Sequence, residues 1–331
     1  MTTARKADAP AIRSHLDALA GEQWLGAARS WWPKFLFRTD PIESAAAILQ
    51  CGELRSRSLA TKEGALAYDA ASQSVIAGTE DKWKEHVRMY FRPRSPTQFS
   101  TEGFRPADAY QYGSKCPVPI VFLLDAYDVL TRTDTVFSDG NLGKRGARIG
   151  GDAKFLAAIP WKKVYHDSWF ESGERDTIIY SRHAEAAVPD RLALADCLRL
   201  VGCRTQAEYE TLWSLLDPST RAMWGSKIVV STRFNLHFGD WLFVEQATLS
   251  ADRVQFQISP SCTRRGPLVQ RVEILRGNIP LGSYDAAGDV PATLRIGLGS
   301  IGRQPAYGVR MTLDGRLAYQ GTYDEAKLVP F

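Results

Sequence analysis

From about His237 the sequence loses helical periodicity, and that break limits the fold more than any single motif. Six short segments with alternating apolar and polar residues follow: Phe243 to Leu249, Val254 to Ile258, Val269 to Leu275, Ala292 to Ile296, Tyr307 to Leu313 and Leu317 to Thr322. A period of two is the signature of a half-buried strand. Gly277-Asn278, Ala287-Gly288-Asp289 and Asp314-Gly315 mark turns between them, and the last is a hairpin signal. The tail is expected to be a small all-β sandwich. Over 238–331 it carries ten Lys+Arg against nine Asp+Glu, with no cluster of His, Cys or acids. A binding or scaffolding role fits it better than catalysis, and its ligand is unknown.

Before the break, helices and strands alternate. A first helix is expected from about Pro10 to Ala20, capped by Asp8, with Ile12, Leu16 and Leu19 on one face. Trp24, Trp31 and Trp32 pack this extension onto the body. Lys34 to Thr39 reads as a strand. Asp40 caps the next helix, Pro41 is its first residue, Glu43 completes a capping box, and Gly52 ends it. Glu53 to Ser58 is extended, and residues 61 to 88 read as a mobile loop or helix over a cleft. Met89 to Pro96 reads as a strand stopped by two prolines. Cys116 to Asp125 is a buried strand, because Ile120 to Leu124 is apolar without alternation. Cys197 to Val201 is another strand. Thr205 and Glu208 form a second capping box, with Leu212, Leu215 and Leu216 buried behind it, and Lys227 to Phe234 is the last strand before the break. The fold class is therefore α+β followed by all-β, divided into a helical extension (1–34), a main domain (35–236) and an all-β accessory domain (237–331).

The chain has 331 residues, 44% of them hydrophobic, enough to bury a substantial core. Its net charge of +4 is compatible with a polyanionic partner without demanding one. The five cysteines are scattered, with no ligand spacing, so neither a structural zinc nor a disulfide framework is expected. The opening residues lack an apolar signal region, and the longest apolar run, Pro117 to Leu124, is far too short to span a bilayer. A soluble cytoplasmic protein without a membrane partner is expected.

Two stretches carry candidate chemistry. In Thr177 to Leu192 (TIIYSRHAEAAVPDRL), a strand apolar at both ends would hold one carboxylate, Glu185, until Pro189 and Asp190 end it. That carboxylate is either a solvent-facing residue on an edge strand or a positioned anion at the bottom of a cleft. Between Phe137 and Phe170, Lys144, Arg145, Arg148, Lys154, Lys162 and Lys163 interleave with Phe137, Phe155, Trp161, Tyr165, Trp169 and Phe170. Such interleaving suits single-stranded nucleic acid, with cations on phosphates and rings on bases. It also suits a solvated helix face beside ordinary core aromatics.

Four pieces in order resemble the DarT family of toxin DNA ADP-ribosyltransferases: FLFRTDPIESAAAILQCGELRSR (35–57), VRMYFRPRSPTQF (87–99), VFSDGN (136–141) and SRHAEAAVPDRL (181–192). The resemblance spans about 35 to 236. It implies an ADP-ribosyltransferase fold of two packed sheets around an NAD cleft, with transfer of ADP-ribose from NAD⁺ to a base of single-stranded DNA and no metal. It places the catalytic glutamate on Glu185 and the motif arginine on Arg94. It gives the NAD site Arg38, Thr39, Tyr90 and Phe91 besides Arg94. The nucleic-acid surface falls on Lys144, Arg145, Arg148, Lys154, Trp161, Trp169 and His183. It also implies a toxin or phage-defence role and a macrodomain-type antitoxin as partner. Two departures stand out: many relatives have histidine where this chain has Arg38, and an arginine-rich ERRxR-like helix is reduced here to Lys82, Lys84 and Arg88.

Breaking the nicotinamide–ribose bond builds cationic charge on the ribose, which a fixed carboxylate stabilises as in glycoside hydrolysis. The same carboxylate can take the proton of the attacking base nitrogen. Arginines suit the pyrophosphate, and a base must be unstacked before it can attack. RNA as acceptor is the near alternative. A degenerate transferase domain that senses a ligand, joined to a β recognition module, is the alternative from another class.

Overall fold

The computed structural model describes residues 4–64, 78–110, 115–143, 146–259 and 262–327. The chain forms two compact units. The first comprises 1–39, 47–99 and 121–201, and the second 40–46, 100–120 and 202–331. The expected boundary at 236/237 thus lies inside the second unit.

The first unit is built on one large β-sheet. Its strands are β1 (Phe35–Pro41), β2 (Glu53–Arg55), β3 (His86–Tyr90), β4 (Pro119–Asp125), β5 (Val136–Ser138), β6 (Ile149–Gly150), β7 (Glu185–Pro189), β8 (Arg191–Ala193) and β9 (Leu198–Cys203). Seven of them lie in the order β9-β4-β1-β3-β7-β5-β6, while β2 and β8 pair separately. β4 is buried along Pro119–Leu124, as its unbroken apolar run requires. β3 and β7 are antiparallel, with Met89 opposite Ala186 and Tyr90 opposite Glu185. Leu36, Phe37, Val87, Met89, Phe122, Phe137 and Ala186–Val188 fill the core.

Several local expectations change. The helix Ala9–Ala20 buries Ile12, Leu16 and Leu19 as its spacing predicts. The Asp8 carboxylate does not cap it, however; it accepts a hydrogen bond from Ala153 N at 2.5 Å, at the start of the helix Ala153–Ala157. β1 runs through Asp40 and Pro41, so the next helix starts at Ile42 (Ile42–Cys51). β3 begins at His86, earlier than expected, and pairs with β7 as far as Tyr90. The turn of helix Leu194–Cys197 delays β9 to Leu198. Of the loop expected over 61–88, residues 65–77 lie outside the described residues; the rest includes the short helix Asp81–Lys84.

In the second unit, Thr205 caps the helix Gln206–Leu215 by accepting from Glu208 N, and the Glu208 carboxylate returns to Arg204 N at 2.8 Å. Pro218 opens a further helix, Pro218–Trp224, and the expected strand at 227–234 is only β10 (Ile228–Val230) before a 3-10 turn. The strands β11 (Val244–Leu249), β12 (Arg253–Ile258), β13 (Pro267–Arg276), β14 (Ile279–Asp289), β15 (Thr293–Gly297), β16 (Ala306–Leu313) and β17 (Arg316–Asp324) form two sheets, β11-β12-β15 and β14-β13-β16-β17. Phe256 and Tyr319 join the sheets with ring centres 5.5 Å apart. Asp314 and Gly315 both have positive φ and turn β16 into β17, as a type I′ hairpin requires. β14 is the strand the pattern misses. It is glycine-containing and largely exposed, and it runs through the turn expected at 287–289.

Candidate active site

Glu185 is the first residue of β7, which lies between β3 and β5, and it is 1% exposed. The edge-strand reading therefore falls. The residues before it are not strand but helix, Arg175–Ser181. Ile178 and Ser181 face the interior at helical spacing, and the buried position of Ile178 overrides its β preference. The helix is closed by Arg182 N donating to Ile178 O at 2.8 Å and by the His183 ring, whose Nδ1 lies 2.9 Å from Ile179 O. Two residues later the chain enters β7.

The Glu185 carboxylate is held from several sides. Arg88 donates from Nε and Nη2 to its two oxygens, both at 2.6 Å. Leu142 N–H points at Oε1 from 3.4 Å, and the Glu185 backbone N–H donates to Ser138 Oγ at 3.2 Å. Bidentate pairing of this kind fixes direction as well as position. Burial works against the charge of Arg88, yet the attraction of Glu185 outweighs it and holds the guanidinium above its ordinary value. Tyr90, directly opposite Glu185, bonds through its hydroxyl to Thr97 Oγ1 at 2.9 Å. Burial, reinforced by Glu185, pushes its phenol up to about 12. The His183 ring stands edge-on to Tyr90 at 6.2 Å. From β1, Arg38 reaches Arg88 O at 3.4 Å, and Thr39 Oγ1 lies 3.5 Å from Gln98 Oε1.

Beside this group stands a guanidinium cluster. Arg94, at φ 51, occupies the left-handed region that a non-glycine residue enters only under local constraint. Asp167 takes hydrogen bonds from both Arg94 and Arg92, the latter at 2.8 Å. Arg92 is 2% exposed and also donates to His166 O at 2.5 Å. Burial first, then the charge of Arg182, lowers it to about 9. Arg182 donates toward His166 Nδ1 at 2.9 Å and sits 5.0 Å over the Phe170 ring. Asp167 thus holds two guanidinium groups by hydrogen bonds and acts on a third, Arg182, through its charge.

The expected sites divide clearly. Glu185, Arg38, Tyr90 and His183 converge around Arg88, which sequence reasoning noted only as a remnant of a missing helix. Its alternation with Tyr90 along β3, two residues apart and so on one face, was the available signal. Phe91 is a correction: it is 1% exposed, with its ring 5.0 Å from Trp161 in the core. Trp161 is another, since it is 6% exposed and packs on Tyr165 at 5.3 Å. With Phe137 and Tyr165 also buried, the stretch 137–170 is not a continuous basic and aromatic groove. Trp169, however, is 81% exposed, and Lys154 faces solvent. Arg148 pairs with Asp139 at 2.6 Å, and Asp139 also accepts from Tyr180 at 3.0 Å. Lys144 and Arg145 lie outside the described residues. Among the described residues no group of His, Cys, Asp or Glu is arranged to hold a metal, and no helix is long and apolar enough to cross a membrane.

The α+β scaffold that buries Glu185 at the head of a central strand is similar in fold to solved DarT structures. Thermus sp. 2.9 DarT in complex with ADP-ribosylated ssDNA superposes with TM-score 0.50 at 15% identity, over 62% of this chain and 97% of that one. Thermus sp. 2.9 DarT in complex with NAD+ gives TM-score 0.48 at 15% identity, over 62% and 98%. Thermosipho africanus DarTG in complex with ADP-ribose gives 0.45 at 13%, over 65% and 53%. No curated protein matches. The profile of the family described as "ssDNA thymidine ADP-ribosyltransferase, DarT" matches residues 37–235, more than half of the chain. The chain belongs to the DarT family and is an NAD-dependent ADP-ribosyltransferase of nucleic acid.

Proposed function

We propose that this chain transfers ADP-ribose from NAD⁺ to a base of single-stranded DNA, as a toxin or phage-defence effector, with Glu185 as its catalytic carboxylate. The observation that carries the assignment is the burial of Glu185 on a central strand with both oxygens fixed by Arg88. A carboxylate so fixed pays no reorganisation when positive charge develops on the ribose. In this reading it also accepts the proton of the attacking base nitrogen. Arg88 is a positioning residue that aims the carboxylate.

The donor's chemistry fits the neighbouring groups. A dianionic pyrophosphate suits the guanidinium groups of Arg92, Arg94 and Arg182 gathered about Asp167. Arg38, Thr39 and Tyr90 remain donor-site candidates by their convergence on the Arg88–Glu185 pair. Trp169, Lys154, Arg148 and His183 are the described candidates for the acceptor strand. The toxin reading brings with it a macrodomain-type antitoxin that would remove the mark.

The test is to incubate the full chain with labelled NAD⁺ and single-stranded DNA, RNA or protein. Label on DNA alone is expected. Label on RNA alone would move the acceptor, and no label on any of them would overturn the reading.

A further inference from the structure

The second unit carries its own meeting of cations and rings. The guanidinium carbon of Arg105 lies 4.9 Å from the Trp241 ring centre and 5.2 Å from that of Tyr110. Lys115 Nζ stands 4.9 Å from Tyr110, and Arg264 stands 5.7 Å from Trp241. The order is Lys115, Tyr110, Arg105, Trp241, Arg264, and Arg265 follows in the chain.

Two segments distant in sequence are locked together to make this layer. Phe104 N donates to Leu242 O at 2.7 Å, and Tyr110 Oη donates to Gly103 O at 3.0 Å. A Cβ on Gly103 would lie 2.5 Å from the Trp241 Cβ, and one on Gly266 would lie 2.3 Å from Pro106 Cγ. Both approaches need glycine.

Arg105 is interior at 4% exposed, whereas Arg264 and Arg265 are exposed and Tyr110, Lys115 and Trp241 are half-buried. Among the described residues, Lys115, Arg264 and Arg265 form no ion pair with a carboxylate. The acids that act on this layer are Glu102 and Asp240, on Arg105, and Asp314, on Tyr110; Glu102 is buried and paired with Arg204. A cation–π contact seats a guanidinium by its face and leaves its in-plane N–H groups free for an oxyanion. Cations alternating with rings match a polyanion whose charges alternate with flat groups, which is the chemistry of a single-stranded nucleic acid.

We propose that this layer is a second binding surface for single-stranded DNA. Lys115, Arg264 and Arg265 take phosphates, and Trp241 and Tyr110 take bases. The choice of DNA rests on the transfer reading above; the surface itself lies outside the residues assigned to transfer.

The experiment uses the full chain without NAD⁺ and fluorescent single strands of about thirty and about six nucleotides, spanning the usual site sizes. The variant is R264E/R265E. R253E/R295E, an equal charge change on exposed residues of β12 and β15, is the control. The first variant is expected to bind the long strand about ten-fold or more weakly, with a salt slope flatter by about 1.4, or 0.7 for each lost phosphate. Its melting temperature and its transfer rate on the short strand should stay at wild-type values, and the control should bind as wild type. Equal loss in both variants would reduce the effect to net charge and overturn the proposal. So would an unchanged affinity, or a larger loss for RNA of the same sequence. Absence of transfer by the wild-type chain would count against the proposed function alone, because the binding comparison needs no NAD⁺.

Discussion

Glu185→Gln removes one charge and almost no volume from the centre of the candidate site. In the native chain Arg88 meets both carboxylate oxygens at 2.6 Å. In the variant one oxygen becomes an NH₂ group, so one of those bonds becomes a donor facing a donor. Removing one member of a fully buried ion pair costs about 3–5 kcal/mol. The Arg88 side chain keeps 26% of its exposure, so water can take up part of its lost bonding and the expected cost falls to about 1–3 kcal/mol. The rate should suffer far more. Losing one preorganised electrostatic partner costs about 10²–10³ in rate, and losing general-base help adds roughly 10². Transfer at saturating NAD⁺, read alongside a melting curve, is the assay. A folded variant within a few-fold of wild type would remove Glu185 from the mechanism and with it the reasoning from its burial.

Lys6, bonded to Leu130 O and Thr135 O, is lowered by burial to about 8. Between that value and its ordinary one the unfolded chain binds more protons. The Lys6 contribution should therefore raise stability as pH climbs from about 8 to about 10.5, and melting scans of Lys6→Met against wild type should show that rise flattened. Gly140→Ala puts a Cβ 2.2 Å from the Tyr180 ring and should cost about 1–3 kcal/mol, recovered in part when Tyr180→Leu makes room. Trp169→Ala, at a largely exposed ring, should weaken single-strand binding about ten-fold without lowering the melting temperature; equal affinity would exclude Trp169 from the surface. Ending the chain at 236 removes Val244 O from Thr205 and Tyr319 from Glu210, so the truncated protein should melt earlier or fail to stay in solution, and an unchanged melting curve would show the second unit divisible there.

Strands with strong local patterns were legible in the sequence. The apolar run of β4, the alternation of β12, β13 and β16, and the Asp314-Gly315 hairpin stand where periodicity put them. The helix Arg175–Ser181 was not legible, because Ile178, Ile179 and Tyr180 favour extended backbone until Ile178 finds a buried helical position. Buried and surface aromatics look alike in a sequence, so Trp161 and Trp169 read the same although one is core and the other is solvated.

The sequence by itself determined the α+β and then all-β order, the family resemblance and the prominence of Glu185, since these rest on local periodicity and on motif spacing. Only the tertiary structure decided that Glu185 is buried, that Arg88 holds it and that Asp167 gathers Arg92 and Arg94. These pairings join residues 97, 75 and 73 positions apart. Strand register and loop closure create such neighbours, and neither is written in the residues on either side of a single position.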